Sequence, residues 1–281
     1  MAVAAFLTQL NPTLDEIADA CAKLTVTENG QITRYGFNAV LDRYLMVNLI
    51  GNQGDGTYFG DNESGRAGLI TKLTCENEIR NVFDAWEKIA ATGGFKYTYD
   101  NQNEEFATGQ NAMTLMSSAR IGSVTKLTAD NGMNWGVTYM PDVNPTDKGG
   151  ACIASLAMFD NGDDAKKAAA WEFIKYAASA ETQSTWSQAT GYLPINLGTK
   201  DLDDYKAFVE KTPAVELALE QFEYSNPMVQ EPVMMMQGSI DSVIKDASTN
   251  LCEGSMNAEE ATAYVVEECN KLFDEYNRAN Q

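Results

Sequence analysis

The chain has 281 residues, of which 44% are hydrophobic and 10% aromatic, so it can bury one large core or two lobes and falls outside the disordered class. Its formal net charge of −20, from 40 acidic and 20 basic residues, argues against nucleic acid or an anionic membrane surface as a partner. Histidine is absent, which excludes a Ser-His-Asp or Cys-His enzyme built from this chain alone and removes the commonest metal ligand.

The cysteines and the apolar runs give no sign of a metal centre or a membrane anchor. The five cysteines have no C-x-x-C spacing, and their odd number leaves at least one thiol unpaired, so they are expected to be small buried apolar residues. No apolar run approaches the length that crosses a bilayer. The opening "MAVAAFL" is too short for a signal peptide and has no basic residues before it, so we expect no export signal in this chain.

The first hundred residues predict two amphipathic helices and a strand followed by a helix. "NPTLDEIADACAKL", residues 11–24, places its apolar residues on one stripe. Residues 35–50 begin like a strand and continue as a mostly apolar helix. "CENEIRNVFDAWEKIAATGG", residues 75–94, has an apolar stripe through its aromatic residues and ends at a glycine pair.

The middle of the chain predicts three strands. The first, Asn111–Met116, is followed by two small hydroxyl residues, Ser117 and Ser118. Such residues at the end of a buried strand are typical of a binding cleft, although an ordinary loop has the same composition. "NWGVTYMP", residues 134–141, predicts a second strand, and the apolar "ACIASLAMF", residues 151–159, predicts a third.

The last 120 residues are predicted to be mostly helical. A helix follows Asp163, and another runs through Trp186 to a stop at Gly191, after which Tyr192-Leu193-Pro194 leaves in an extended conformation. Four further helices are expected near residues 201–210, 213–223, 239–250 and 258–277. Asn257 and Glu260 form a capping-box pattern at the start of the last one.

Helices interleaved with short apolar strands predict an α/β fold. Trp86, Trp135 and Trp171 lie on stripes or strands expected to be core, and "VMMM", Val233–Met236, is also more typical of a buried element. The sequence offers no catalytic pairing that we can identify. It therefore favours a protein that binds a ligand and releases it.

Three segments resemble one known family: "FATGQNAMTLMSSA", "WGVTYMPDVNPTDKGGACIASLAMF" and "KKAAAWEFIKYAASAETQSTWSQATGYLPIN". They are similar to the C-terminal two thirds of family 1 extracellular solute-binding proteins, the substrate-capturing subunits of ABC importers for sugars and polyols. The resemblance is greatest to the members that bind sn-glycerol 3-phosphate. It implies a non-enzymatic protein without cofactor, extracellular or periplasmic, which in its full-length form is tethered to the membrane as a lipoprotein and works with ABC permease subunits.

The resemblance also implies a periplasmic-binding-protein-like type II architecture, with most of the N-terminal lobe lying before Met1. Residues 1–140 and 196–281 would form the C-terminal lobe, and residues 147–190 would be the return segment of the N-terminal lobe. That segment would lack most of its sheet partners. Because an exposed sheet edge invites pairing with another chain, we expect self-association there.

The resemblance implies five ligand-binding residues. Tyr192 matches the family's binding tyrosine in the same "GYLP" setting, and packing at the hinge is its alternative role. Ser117 and Ser118 match strand-end serines of which one contacts ligand. Gly150 matches a glycine whose N–H approaches the ligand, and Tyr44 falls near the family's cleft tryptophan, although it is equally compatible with a core position.

The ligand class is left open between a neutral sugar or polyol and a phosphate ester. The glycerol-3-phosphate members place an arginine in the segment that corresponds to "MMMQGSIDSVIKD", which has none here. Arg120 could substitute for it, but a solvated surface arginine is its simpler role. Two other functions remain as alternatives: a carbohydrate-active hydrolase that uses paired carboxylates, and a module that only docks on a transporter.

Overall fold

The computed structural model describes residues 11–53, 59–144, 156–160 and 162–280. Its strands are β1 Val26–Glu28, β2 Gln31–Asn38, β3 Phe95–Lys96 and β4 Asn111–Thr114. Its helices are α1 Leu14–Leu24, α2 Arg43–Gly51, α3 Asp61–Gly65, α4 Glu76–Ala91, α5 Gln102–Ala107, α6 Ile121–Asp130, α7 Asp164–Ala177, α8 Ala180–Thr190, α9 Asp203–Lys211, α10 Pro213–Tyr224, α11 Gln237–Cys252 and α12 Ala258–Ala279. Of these, α3 is a single turn with three left-handed residues.

The central strand of the sheet is β2. It pairs antiparallel with β1 through a turn in which Asn29 and Gly30 both have positive φ, as a tight hairpin requires. The C-terminal half of β2 pairs in parallel with both β3 and β4, so that Phe37 lies opposite Phe95 and Met113. Parallel neighbours need crossover connections, and helices between the strands supply them. This arrangement confirms the predicted α/β class.

The main apolar core packs α1, α4, α11 and α12 against the sheet. The stripe predicted on α4 is buried in full, and it consists of Ile79, Val82, Phe83, Trp86 and Ile89. Burial of a large apolar side chain contributes about 1.5–3 kcal/mol, so this stripe is a principal source of stability. The Trp86 ring meets the Phe95 ring edge-on, with centroids 5.6 Å apart, which joins α4 to β3.

The predicted capping box of α12 is confirmed. The Asn257 side chain accepts a hydrogen bond from the Glu260 amide at 3.0 Å, and the Glu260 carboxylate accepts one from the Asn257 amide at 2.9 Å. Such a cap contributes about 1 kcal/mol to a helix. The buried stripe of α12 ends at Phe273, and Leu272 and Tyr276 are only partly buried.

A smaller apolar cluster joins α6, α9 and α10. It is built around Tyr205 and Val215, with Trp135 packed against it. Residues 134–140, predicted as a strand, form none. Their aromatic residues pack on helices instead: Trp135 beside this cluster, and Tyr139 against Tyr224 of α10, with ring centroids 6.2 Å apart.

Helices α7 and α8, here called the α7–α8 arm (residues 164–190), bury almost none of their apolar side chains. No residue of α7 is buried, and its Trp171, Phe173 and Tyr176 are 50%, 61% and 66% exposed. The buried residues of α8 are two serines. The prediction that Trp171 lies in the core is therefore wrong, because the described part of the chain provides no apolar surface opposite its face of α7.

The structure differs from the predictions for two further apolar segments. In "VMMM", Val233 and Met235 are exposed, whereas Met234 and Met236 pack against the main core, so only half of this segment is buried as predicted. Of the strand predicted for residues 151–159, the first five residues lie outside the described part, and residues 156–159 form no strand. Among the described residues, no helix is long and apolar enough to span a membrane.

Candidate ligand-binding site

The carboxyl ends of β2, β3 and β4 form one edge, here called the strand-end edge (residues 38–44, 98–102 and 114–120). Asn38 is fully buried and ties the three strands together. Its side-chain Nδ2 donates to the Thr98 carbonyl at 3.0 Å, and its side-chain Oδ1 accepts from Gln102 Nε2 at 2.5 Å. Its main-chain carbonyl accepts from the Leu115 amide at 2.9 Å. Ligands of parallel α/β sheets bind outside this end of the strands, so the edge is the candidate site.

Asp42 and Tyr99 form a hydrogen-bonded pair on this edge. The Asp42 carboxylate caps α2 by accepting from the Leu45 amide at 2.9 Å, and it also accepts from the Tyr99 hydroxyl at 2.6 Å. Burial raises the pKa of Tyr99 above its usual value, and the bond to the Asp42 carboxylate raises it further. The phenol therefore remains a protonated donor, and the 43% exposed ring presents a face to solvent.

Arg43 directly follows Asp42 in the chain and is held by two acidic residues. Its guanidinium contacts Glu231 at 2.5 Å and lies 4.2 Å from the centroid of the Tyr44 ring. Burial acts against the charge of Arg43, but Glu231 outweighs it and raises the pKa of the guanidinium. The Arg43 amide donates to Asp241, whose other oxygen accepts from Lys245 at 2.7 Å.

The corner after α8 is packed against the turn that follows β4. Gly191 ends α8 with a φ of 86°, and a Cβ added to it would lie 2.9 Å from the Gly122 amide nitrogen and 3.2 Å from the Ser118 carbonyl oxygen. Only glycine combines this left-handed conformation with so close an approach. The corner thereby presents Tyr192, which is 48% exposed and whose ring lies 6.5 Å from that of Trp186.

Four of the five predicted site residues lie on the strand-end edge or at the corner that packs on it. Ser117 is exposed and caps a 3-10 turn by accepting from the Ala119 amide, and Ser118 is half-buried. Tyr44 is 52% exposed rather than a core residue. Gly150 lies outside the described residues. Ligand contact by these residues stays a prediction.

Arg120 is an exposed residue of the 3-10 turn that follows β4. Its guanidinium donates to the side-chain Oδ1 of Asn103 at 3.5 Å. Asn103 belongs to α5, whose Gln102 bonds to Asn38, so this contact joins the turn after β4 to the α5 end of the strand-end edge.

Sequence reasoning missed Asp42, Tyr99 and Trp186. Asp42 carries a usable signal, because an aspartate directly before an apolar helix is typical of an N-cap. Tyr99 follows a strand of only two residues, which is too short to show an alternating pattern. Trp186 becomes a candidate only through its proximity to Tyr192.

No metal centre is found in the residues that the structure describes, since nowhere in them do three His, Cys, Asp or Glu side chains lie close enough together to hold an ion. Asp61, the first residue of α3, forms its hydrogen bonds within the protein. Its carboxylate accepts from the Thr71 amide at 2.7 Å and from the Thr71 hydroxyl at 2.5 Å.

Comparison with known families gives a match over most of the chain. The family described as bacterial extracellular solute-binding protein matches residues 8–216. The chain belongs to this family. The sn-glycerol-3-phosphate-binding periplasmic protein UgpB of Pectobacterium atrosepticum is 29% identical over 198 residues, which is 67% of this chain and 44% of that protein. The chain thus spans less than half the length of this solute-binding relative.

Solved solute-binding proteins share the fold at low sequence identity. The sugar-binding protein MalE from Xanthomonas citri superimposes with a TM-score of 0.72 at 16% identity, covering 98% of this chain and 67% of that one. UgpB from Mycobacterium tuberculosis, solved in complex with glycerophosphocholine, superimposes with a TM-score of 0.64 at 19% identity, covering 94% and 64%. These similarities confirm the predicted periplasmic-binding-protein-like fold.

Proposed function

We propose that the chain is a ligand-capturing component of an ABC importer, which binds a small sugar, polyol or glycerol phosphate and releases it without chemical change. The observation that carries this proposal is the strand-end edge, where exposed tyrosine rings lie beside hydrogen-bonding groups. Aromatic faces suit the C–H surfaces of sugars, and the polar groups suit their hydroxyls. Family membership supports the same function.

In this proposal Tyr192 and Tyr44 provide the aromatic faces, and Ser117 or Ser118 provides a hydroxyl partner. Gly150 would bring a backbone N–H to the ligand. The support for Tyr192 is its position, since the contact between Gly191 and the Ser118 carbonyl fixes the corner against the strand-end edge.

The lobe assignment is part of the proposal. Residues 1–140 and 196–281 would form one lobe, with residues 147–190 belonging to the opposite one. In support, the main core draws its buried residues from both ends of the chain, between Leu14 and Met113 and between Ile240 and Phe273, and takes none from the described residues of the α7–α8 arm. Closure of two lobes on the ligand would then exclude water.

The partners and location follow from the same proposal. ABC permease subunits would receive the ligand at the outer face of the membrane, with the protein extracellular or periplasmic and tethered as a lipoprotein in its full-length form. We also propose self-association through the apolar surface that residues 156–159 and the α7–α8 arm expose.

Isothermal titration of the chain with glycerol 3-phosphate, mannitol and maltotriose tests ligand capture. We expect saturable binding of at least one of them, and a loss of affinity of about tenfold in Tyr192→Ala, since a stacked aromatic contact contributes about 0.5–1.5 kcal/mol beyond the area that it buries. Tyr192→Phe separates the ring from the hydroxyl. Tyr276→Ala, on the outer helix α12, is the matched control and should bind like the wild type.

Failure to bind any of these ligands would contradict ligand capture and favour a module that only docks on a transporter. Release of reducing sugar from an oligosaccharide, sustained over many turnovers, would favour the hydrolase alternative instead. Unchanged affinity in Tyr192→Ala would assign the tyrosine to packing at the corner.

A further inference from the structure

Arg43 of the strand-end edge and Lys245 of α11, whose ammonium lies 5.8 Å from the centroid of the Tyr99 ring, are already paired with carboxylates. The Arg43 guanidinium contacts Glu231 at 2.5 Å, and its side chain is only 3% exposed. The Lys245 ammonium lies 2.7 Å from Asp241. To hold a phosphate, either cation would have to share or leave its carboxylate, and separation of the Arg43 pair would leave a charge uncompensated in a largely buried place.

The third cation, Arg120, is exposed and is directed to the neutral side chain of Asn103. Two carboxylates lie around the Tyr99 ring: Asp42 accepts from the Tyr99 hydroxyl at 2.6 Å, and Asp241 holds Lys245, whose ammonium lies 5.8 Å from the ring centroid. Arg43, Lys245 and Arg120 are thus matched in number by Glu231, Asp241 and Asp42, so these six side chains provide no net positive charge for a phosphate dianion. Phosphate sites in proteins use several donors with a positive field.

The acceptors of the edge match hydroxyl groups. An ionised carboxylate only accepts hydrogen bonds, so Asp42 and Asp241 can pair with the O–H donors of a polyol. A phosphate dianion has acceptor oxygens alone and would meet these carboxylates as like charges. The exposed rings of Tyr44, Tyr99 and Tyr192 add faces for the C–H groups of such a ligand.

We propose that this site selects uncharged polyols and sugars over their phosphate esters, and that Asp42 and Asp241 set this preference. The inference rests on the proposed function and narrows its ligand class. It differs from what the name of the glycerol-3-phosphate-binding relative suggests, because Arg43 and Lys245 are paired with carboxylates of this chain and Arg120 stands alone.

The test is the affinity of the chain for matched ligands that differ by one phosphate, D-mannitol and D-mannitol 1-phosphate, measured by isothermal titration. We expect mannitol to bind more tightly by about tenfold or more, since like charges juxtaposed in a site cost several kcal/mol. Equal or tighter binding of the phosphate ester would overturn the proposal. Absence of binding by both would overturn the proposed function, and this inference with it.

Two isosteric variants test the named carboxylates. Asp42→Asn keeps a good helix cap, and Asp241→Asn keeps an acceptor for the Arg43 amide. In each, we expect the preference for mannitol to fall by about fivefold, the effect of one like charge at short range in water. Asp19→Asn, the same charge change on the exposed face of α1, is the control and should leave the preference unchanged.

An unchanged preference in both Asp42→Asn and Asp241→Asn would overturn the role of these carboxylates. A fall of the same size in Asp19→Asn would show that the preference depends on overall charge. That result would also overturn the role of Asp42 and Asp241. Circular dichroism of each variant shows that its fold is retained.

Discussion

Helices α4 and α7 carry similar apolar residues but have opposite surroundings. Each has a tryptophan and a phenylalanine, and each is of comparable length, with 16 and 14 residues. On α4 both aromatic side chains are completely buried, whereas on α7 they are 50% and 61% exposed. Apolar content therefore does not decide burial by itself, because a partner surface must also be present.

The α7–α8 arm lacks an apolar partner surface among the described residues. The arm is attached to the rest of the chain by polar contacts and by the glycine corner. For example, Ser184 and Gln188 both donate to the Asp204 carboxylate at 2.8 Å. Nothing comparable to the α4 stripe holds α7 in place among the described residues. The core and the arm should thus respond differently to the same substitution.

The largest expected effect is that of Phe83→Ala on α4. Because Phe83 is fully buried, we expect the free energy of unfolding to fall by about 3–5 kcal/mol. Urea denaturation followed by circular dichroism measures the loss. A change below about 1 kcal/mol would contradict the description of α4 as the centre of the core.

A smaller loss is expected for Gly191→Ala at the corner that anchors the arm. The left-handed φ costs a non-glycine residue about 1–2 kcal/mol, and the close approach to Gly122 adds to this cost. Gly109→Ala is the matched control, because Gly109 has a φ of 77° but no atom within 4 Å of an added Cβ. If the two variants lose equal stability in urea denaturation, the corner is not closely packed.

The thiols of the core should be protected and should make stability depend on pH. Burial raises the pKa of both Cys75 and Cys269 to about 12. Because the thiolate is the reactive form, we expect both to label far more slowly in the folded than in the unfolded protein, as measured by alkylation and mass spectrometry.

The sign of the pH dependence follows from the same pKa values. The unfolded thiols ionise near pH 9, below the folded ones, so this contribution to stability is present below about pH 9 and is lost as the pH rises towards 12. The arm has no cysteine, so labelling of Cys75 and Cys269, resolved from the other cysteines by mass spectrometry of peptides, reports on the core. Rapid labelling of Cys75 or Cys269 in the folded protein would show that the core opens.

The smallest expected effect on folding is that of Phe173→Ala on α7, the counterpart of Phe83→Ala. At low protein concentration we expect the free energy of unfolding to change by no more than about 0.5 kcal/mol, as for an exposed site. A loss comparable to that of Phe83→Ala would show that another surface covers α7 in solution.

Phe173→Ala also tests the proposal of self-association. Light scattering after size exclusion should give a mass that rises with concentration for the wild type and rises less for Phe173→Ala, because the variant has less exposed apolar surface. A monomer at every concentration would contradict self-association through this surface.

The sequence predicted the helices well because most carry their own signals. The stripe of α4, the capping box of α12 and the glycine that ends α8 each depend on residues close together in the chain. The failures concern partners that are distant in sequence. Residues 134–140 have a strand-like pattern but pack on helices, and the apolar face of α7 gives no indication that it remains exposed.

Only the part of the candidate site that depends on local patterns could be predicted from the sequence. Tyr192 and the two serines were proposed from local patterns and from resemblance to a family, and their contact with ligand stays a prediction. Asp42 and Tyr99, which are hydrogen-bonded to each other, are 57 residues apart in sequence. Pairing of this kind depends on the register of the sheet, and a single sequence does not contain it.

The amide of Asn38 has a consequence for the order of folding. Its partners Thr98 and Gln102 lie 60 and 64 residues further along the chain. Long loops must close before such bonds form, and the entropy of closure is lost before the bonds compensate for it. Helices with local signals can therefore form early, whereas the edge that would receive a ligand is completed late in folding.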